Sequence, residues 1–293
     1  MIAVRASRAH RTESLALIVL RSASGFFILS IGLLIVYLAI EGTKLFTVDH
    51  KSLADFLFSA SFSPDQGHVG ALAFILGSLF VTGFAIAVGG PFGVAVGVFF
   101  AELAPKRVAS AMKPAIEVLV GIPSVVYGWL GLTLLVPLIR NTTGSTGFGL
   151  LAAGIVLSLM ILPTVVSLSE DAMRVVPDSL REGSLALGAT RWETIWQVLL
   201  PAASSGISVA VILGIARAIG ETLAIQLVLG NAPVIPAGLL SPASALTSEI
   251  VMDMGDAPDG SGFKHALFSM ALLLLLIAMG LILLIRFALR RRT

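Results

Sequence analysis

Arg217-Ala-Ile-Gly-Glu221 places a guanidinium and a carboxylate four positions apart inside a long apolar run. On a helix the two share a face and can pair. A charge at the centre of a bilayer costs about 2.5–3.5 kcal/mol on insertion scales, so it needs a partner, a water-filled cavity or a function to offset it. Arg217 is sixteen residues past Pro201, about 24 Å along a helix, too deep for the side chain to reach the inner surface. Two readings fit the pair. One is a structural ion pair that lets the helix insert. In the other, the five-donor fork of Arg217 meets a travelling tetrahedral oxyanion, while Glu221 neutralises the cation when no anion is present and competes with the anion when it arrives. Arginine before glutamate is the weaker order for such a pair, which counts against a purely structural role.

A second polar constellation lies in Gly121-Ile-Pro-Ser-Val-Val-Tyr-Gly128. Its proline frees a backbone carbonyl in mid-span, and Ser124 and Tyr127 are hydroxyl partners for it. Either the helix kinks beside a polar cavity or Ser124 satisfies a simple bend. Glu117, four residues past Lys113, is expected to pair with it at the interface. With no cysteine, and with His10, His50, His68 and His265 far apart in termini and loops, neither a metal centre nor a thiol nucleophile is expected. No nucleophile and base converge in the apolar runs, so an intramembrane enzyme has no support.

These groups sit in a chain that is 57% hydrophobic and 12% charged, with a mean hydropathy of +1.00. Soluble domains carry about 25% charged residues, so the composition defines a membrane protein and excludes nucleic-acid binders and disordered tails. Six apolar runs are long enough to span: approximately 23–40, 71–100, 114–139, 148–168, 202–229 and 266–285. Of the nineteen Lys and Arg, fourteen fall in residues 1–22, 101–113, 169–200 and 286–293; four (Lys44, Lys51, Arg140, Lys264) fall on the other side. The positive-inside rule therefore places both termini in the cytoplasm, and the net charge of +2 reflects topology rather than an acidic partner. The expected organisation is a cytoplasmic segment 1–22, an anchor helix 23–41 without a cleavage site, and an outer loop 42–70. A multi-span core 71–285 follows, containing a cytoplasmic loop 169–200 and an outer loop 230–265, and then a basic tail 286–293. Gly89, Gly93 and Gly97 form a repeated GxxxG ridge around Pro91, read as a helix-packing face.

The cytoplasmic loop reads as two short helices. Ser179-Leu-Arg-Glu182 and Thr190-Arg-Trp-Glu193 are capping boxes, and Gly188 stops the first helix. The second carries an apolar stripe of Trp192, Ile195, Trp196 and Leu199 that ends at Pro201. The stripe either lies on the membrane surface or is covered by a partner.

Glu182-Gly-Ser-x-x-x-Gly188, followed after nine residues by Val198-Leu-Leu-Pro201, resembles the EAA loop of ATP-binding-cassette import permeases, Glu-Ala-Ala-x-x-x-Gly-(nine)-Ile-x-Leu-Pro. The strings Phe99-Phe-Ala-Glu-Leu-Ala-Pro105, Gly121 to Gly128, Glu182 to Trp192 and Arg217-Ala-Ile-Gly-Glu-Thr222 together look like the phosphate-specific import permeases, over about residues 71–231. Leu223 to Asn231 and the segment around Phe62 to Pro64 look more like the PstC than the PstA subunit type. The resemblance implies an all-α, six-span, type I ABC importer permease fold, with a substrate pathway at Arg217, Glu221 and Thr222 beside Ser124 and Tyr127. It also implies an ATPase-coupling stretch of Glu182, Gly183, Ser184, Leu185, Ala186, Leu187, Gly188, Ala189 and Thr190. The implied partners are a PstA-like permease, two ATP-binding-cassette ATPase subunits that hold ATP and Mg, an external phosphate-binding protein and membrane lipid. No lysine follows a glycine, so this chain lacks a Walker A loop of its own. The competing readings are a permease for sulfate or molybdate, and an ATP-independent secondary anion transporter.

Overall fold

The computed structural model describes the backbone of residues 2–290 and the side chains of residues 17–64, 66–283, 285 and 287. Within these residues, six helical stretches are long and apolar enough to cross a bilayer: Leu17–Thr47, Leu72–Leu103, Ser124–Thr143, Leu150–Arg174, Arg191–Ile219 and Gly262–Leu283. The N-terminal basic residues Arg5, Arg8 and Arg11, and Arg291 and Arg292 of the tail, lie outside the described side chains.

The first helix, α1 (Ile2–Thr47), overruns the expected 23–41 at both ends because no proline interrupts residues 1–47. Its side chains are exposed almost all the way round from Leu17 to Val36, the signature of a helix whose solvent is lipid. Beyond it come α2 (Leu53–Phe58) and a two-stranded antiparallel ribbon of β1 (Phe62–Ser63) and β2 (His68–Val69), with Phe62 opposite Val69. Phe62 meets the ring of Phe74 edge-on at 4.9 Å, which pins this outer cap to α3 (Leu72–Val98). A π turn, Phe99–Leu103, continues α3 on the cytoplasmic side.

The expected third span, 114–139, divides in two. Residues Lys106–Gly121 form a separate helix, α4, with no buried residue. Ile122 is extended, and α5 (Ser124–Leu130), a π turn (Gly131–Leu135) and α6 (Val136–Thr143) then make the span. Pro123 causes the break: it lacks an N–H and forces its predecessor out of helical geometry. After it comes α7 (Leu150–Arg174), the central helix. Leu157, Met160 and Ile161 of α7 are fully buried and pack with Val81 and Ala85 of α3.

On the cytoplasmic side, α7 runs on to Arg174, well into the expected loop. There follow α8 (Asp178–Ala186) and then α9 (Arg191–Thr194), a π turn (Ile195–Leu199) and α10 (Leu200–Ile219) as one continuous rod. The second loop helix therefore does not end at Pro201. That proline occupies the first turn of α10, where its missing N–H costs little. A short α11 (Leu223–Val228), an outer α12 (Leu246–Asp253) and α13 (Gly262–Arg290) complete the chain. The outer loop expected over 230–265 thus contains α12 and ends at Gly262, and most of the expected tail is helical. α13 holds α1: Ser269 donates to the carbonyl of Gly42 at 2.6 Å, and Tyr37 meets Phe268 edge-on at 5.8 Å.

The glycine ridge packs as expected. A Cβ on Gly93 would lie 2.8 Å from Cβ of Val165, and one on Gly97 would lie 2.8 Å from the Val166 carbonyl, so α3 and α7 touch backbone to backbone. Gly93→Ile is expected to lower stability by about 1–3 kcal/mol through overpacking. Gly83→Ile, at a position with nothing within 4 Å, should leave the melting temperature in detergent nearly unchanged.

Candidate substrate pathway and coupling surface

Two interrupted helices meet beside α7. The first break is at Ile122-Pro123 and the second at Gly220-Glu221-Thr222, between α10 and α11. They adjoin because α5 lies on α11: a Cβ on Gly128 would stand 2.7 Å from the Ala224 backbone, and one on Gly131 would stand 2.9 Å from Val228. Broken helices with unwound backbone are how transporters present polar main chain within a membrane.

The second break overturns the expected i,i+4 pair. α10 ends at Ile219 with Gly220 as its cap, so Arg217 and Glu221 do not share a helical face, and Arg217 makes no ion pair among the described residues. Its Nη1 instead reaches Thr164 Oγ1 of α7 at a long 3.4 Å. Lying in the last turn of α10, the cation faces the negative end of the helix dipole, which favours it. Arg217 is half-buried and close enough to Tyr127 to act on it electrostatically.

Tyr127, not Ser124, takes up the carbonyl freed by the proline. Its hydroxyl donates to the carbonyl of Leu119 at 2.8 Å, the acceptor that Pro123, four residues on, leaves without a helical donor. Ser124 is the first residue of α5 and makes no such bond. Glu221 is held by its main chain, whose carbonyl accepts from Thr247 Oγ1 of α12 at 3.1 Å. Its half-buried carboxylate has no hydrogen-bond partner among the described residues. Thr222 turns back to the Gly220 carbonyl at 3.4 Å. Arg217 and Tyr127 are thus brought together, with Glu221 and Thr222 in the adjoining break. Sequence reading missed Thr164, although it is a polar residue in mid-span beside Pro163. It also missed the stop at Gly220, although a glycine ahead of a threonine and a new apolar run is a helix-end signal.

The outer segment contributes a further carboxylate. Glu249 of α12 is only 7% exposed and accepts from Ser244 Oγ at 3.1 Å. Burial, reinforced by the nearby Asp253 charge, raises its pKa from the ordinary carboxylate value to about 7.

On the cytoplasmic side, α8 begins at Asp178 behind Pro177, so the Ser179 capping box does not form. The Thr190 box does: Glu193 N–H donates to Thr190 Oγ1 at 3.3 Å, and Glu193 Oε2 accepts from the Thr190 N–H at 2.7 Å. Between the two helices Gly188 takes a left-handed φ of +88°, which a side chain would strain. Around this turn Leu185 and Leu187 stand exposed, Leu187 at 90%, an apolar tip in water. Ser184 hydrogen-bonds Thr194 at 3.0 Å. The expected stripe splits: Ile195 and Leu199 are buried against Met173 and Ala203, whereas Trp192 and Trp196 face outward, their rings 5.6 Å apart.

Two ionic clamps that sequence reading missed fix this end. Arg181 of α8 grips Glu102 with Nε at 3.1 Å and Nη2 at 2.7 Å, and also binds Asp178. The hydrogen bonds to Glu102 push the Arg181 pKa further up. Glu170 of α7, 5% exposed, receives Lys113 at 2.5 Å and Arg174 at 2.7 Å. Lys113 therefore reaches across to α7 rather than pairing with Glu117 on its own helix, because a buried carboxylate has more to gain from a cation than an exposed one.

A helical membrane chain with interrupted spans, a half-buried cation at the breaks and an exposed apolar turn on its basic side defines the permease subunit of a transporter. Residues 93–293 match the family described as binding-protein-dependent transport system inner membrane component, and the chain belongs to that family. It is 47% identical over 260 residues to a probable ABC transporter permease protein, YqgH, of Bacillus subtilis, covering 88% of this chain and 84% of that one. It is 36% identical to the phosphate transport system permease protein PstC of Haemophilus influenzae, covering 79% of each. In fold it is similar to a chain of a bacterial alginate ABC transporter (TM-score 0.63, 14% identity, 91% of this chain and 94% of that one). It is also similar to a chain of the inward-facing MetNI methionine ABC transporter (TM-score 0.59, 22% identity, 79% and 100%). The protein is thus a multi-pass ABC importer permease subunit, a transport component and not itself an enzyme, and it operates with an ATPase and a substrate-binding protein.

The raised pKa of Glu249 makes a sign-definite prediction. Neutral Glu249 suits its buried seat, so docking of α12 is strongest below the ordinary carboxylate pKa and weakens as pH rises through about 7. After correction for intrinsic rates, amide exchange across Leu246–Asp253 should accelerate between pH 6 and 8 in the wild type and stay flat in Glu249→Gln.

Proposed function

We propose that this chain is the PstC-type permease subunit of an ATP-driven phosphate importer. The observation that carries the proposal is the Arg217 guanidinium, held at the junction of two broken helices with a hydroxyl neighbour and no carboxylate on it. A cation left uncompensated within a span is costly unless an anion visits it, and a planar fork of donors suits a tetrahedral oxyanion. The PstC proteins among its relatives, at 30–36% identity, are named for phosphate, which favours phosphate over sulfate or molybdate. Family membership argues against an ATP-independent secondary transporter.

In this reading, Arg217, Glu221 and Thr222, with Tyr127 and Ser124 across the junction, line half of the pathway, and a PstA-like subunit supplies the other half. An external phosphate-binding protein delivers the ion. The turn from Glu182 to Thr190 seats its exposed Leu187 in a groove of one of two ATPase subunits, which bind ATP and Mg. Closure of the ATPase pair moves α8, and the Arg181–Glu102 clamp passes that movement to α3.

Two substitutions separate the parts. Arg217→Gln is expected to reduce phosphate uptake into cells at least a hundredfold, while the complex still assembles and hydrolyses ATP; wild-type uptake would remove the pathway role. The fold change corresponds to about 2.7 kcal/mol of lost ion stabilisation. Leu187→Asp should release the ATPase on purification and leave the melting temperature of the permease unchanged. Undiminished co-purification would contradict the docking role.

A further inference from the structure

We infer that this chain carries a binding site for an anionic phospholipid on its inner-leaflet face. The inner half of α3 and the rod from Trp192 to Val211 enclose an apolar groove of about 800 Å³. One wall runs from Ile86 to Leu103, about 25 Å of helix, against the ~22 Å that one leaflet spans with its head groups. Both walls carry a π turn, Phe99–Leu103 and Ile195–Leu199, and such turns open a helix locally and recur at functional sites. At the cytoplasmic mouth stand the exposed indoles of Trp192 and Trp196, side chains suited to the head-group region.

Charge selects the occupant. Arg191, next to Trp192, is exposed and makes no ion pair among the described residues. It lines a neighbouring polar cavity of about 470 Å³, and Ile195 lines both spaces. The other two arginines of that cavity are engaged, Arg174 by Glu170 and Arg181 by Glu102 and Asp178. Lys106 and Arg107, just past Leu103, add exposed positive charge at the same level. An apolar helix from another subunit would fill the groove but offer Arg191 nothing. A phospholipid with a net negative head group places its acyl chain in the groove and its phosphodiester at Arg191. The head group then lies beside the Arg181–Glu102 clamp, so lipid occupancy bears on how α8 is held.

The test uses the whole assembled transporter in vesicles of equal phosphatidylglycerol and phosphatidylcholine. A photoreactive benzoylphenylalanine replaces Trp196, and the adducts are identified by mass. Phosphatidylglycerol adducts should exceed phosphatidylcholine adducts about fivefold, the preference one basic residue near an anionic surface supplies. The ratio should fall markedly in Arg191→Gln, with Lys106 and Arg107 supplying what preference remains, and return in Arg191→Lys, with assembly intact in both. Equal adducts with Arg191 present, a ratio unmoved by Arg191→Gln, a crosslink to another protein chain, or no lipid adduct at all would each overturn the proposal.

Discussion

A guanidinium inside a membrane-spanning helix has to be tolerated without a carboxylate clamped to it, and the architecture around Arg217 follows from that constraint. A continuous helix through Gly220 would set Glu221 on the same face and neutralise the cation permanently. Ending α10 at Ile219 prevents this. The terminal carbonyls of α10 then favour the charge, and Thr164 gives it one weak hydrogen bond. Arg217 is stabilised enough to exist there but not enough to be satisfied, the condition under which a passing anion gains from meeting it.

The same helix that supplies Thr164 ties the junction to the cytoplasmic machinery. On α7, Val165 and Val166 follow immediately and press against the glycine ridge of α3. One turn further, Glu170 is clamped by Lys113 and Arg174. The π turn that continues α3 carries Glu102, which Arg181 of α8 holds with two hydrogen bonds. A displacement of the exposed turn at Leu187 therefore has a short, stiff route to the two broken helices, made of one bidentate ion pair and one close-packed helix interface.

Much of this was legible in the sequence. Composition and basic-residue placement gave a six-span membrane protein, the GxxxG spacing gave a close-packing face on α3 though not its partner α7, and Thr190-x-x-Glu193 gave the start of α9. The residues at the two breaks were singled out, but their local geometry was misjudged. In the sequence Gly220 reads as an interior residue and Pro123 as a bend, because an apolar run carries no periodic signal that distinguishes one helix from two. The Ser179 box lost to Pro177, which caps α8 two residues earlier. Thr164, Glu102 and Glu170 were invisible for a different reason. Their partners are 53, 79 and, for Lys113 with Glu170, 57 positions away, and only the packed fold brings such separations together.

The absence of cysteine from this chain makes the central claim directly measurable. Arg217→Cys introduces a single thiol whose labelling by a small, charged, membrane-impermeant reagent reports whether water reaches the junction of the broken helices. If phosphate passes Arg217, this chain is labelled in the assembled transporter during ATP turnover, and the labelling slows when phosphate and its binding protein are supplied. A thiol that stays unlabelled in every state, with or without ATP, would mean that position 217 is sealed within protein or lipid, and would contradict a pathway through it.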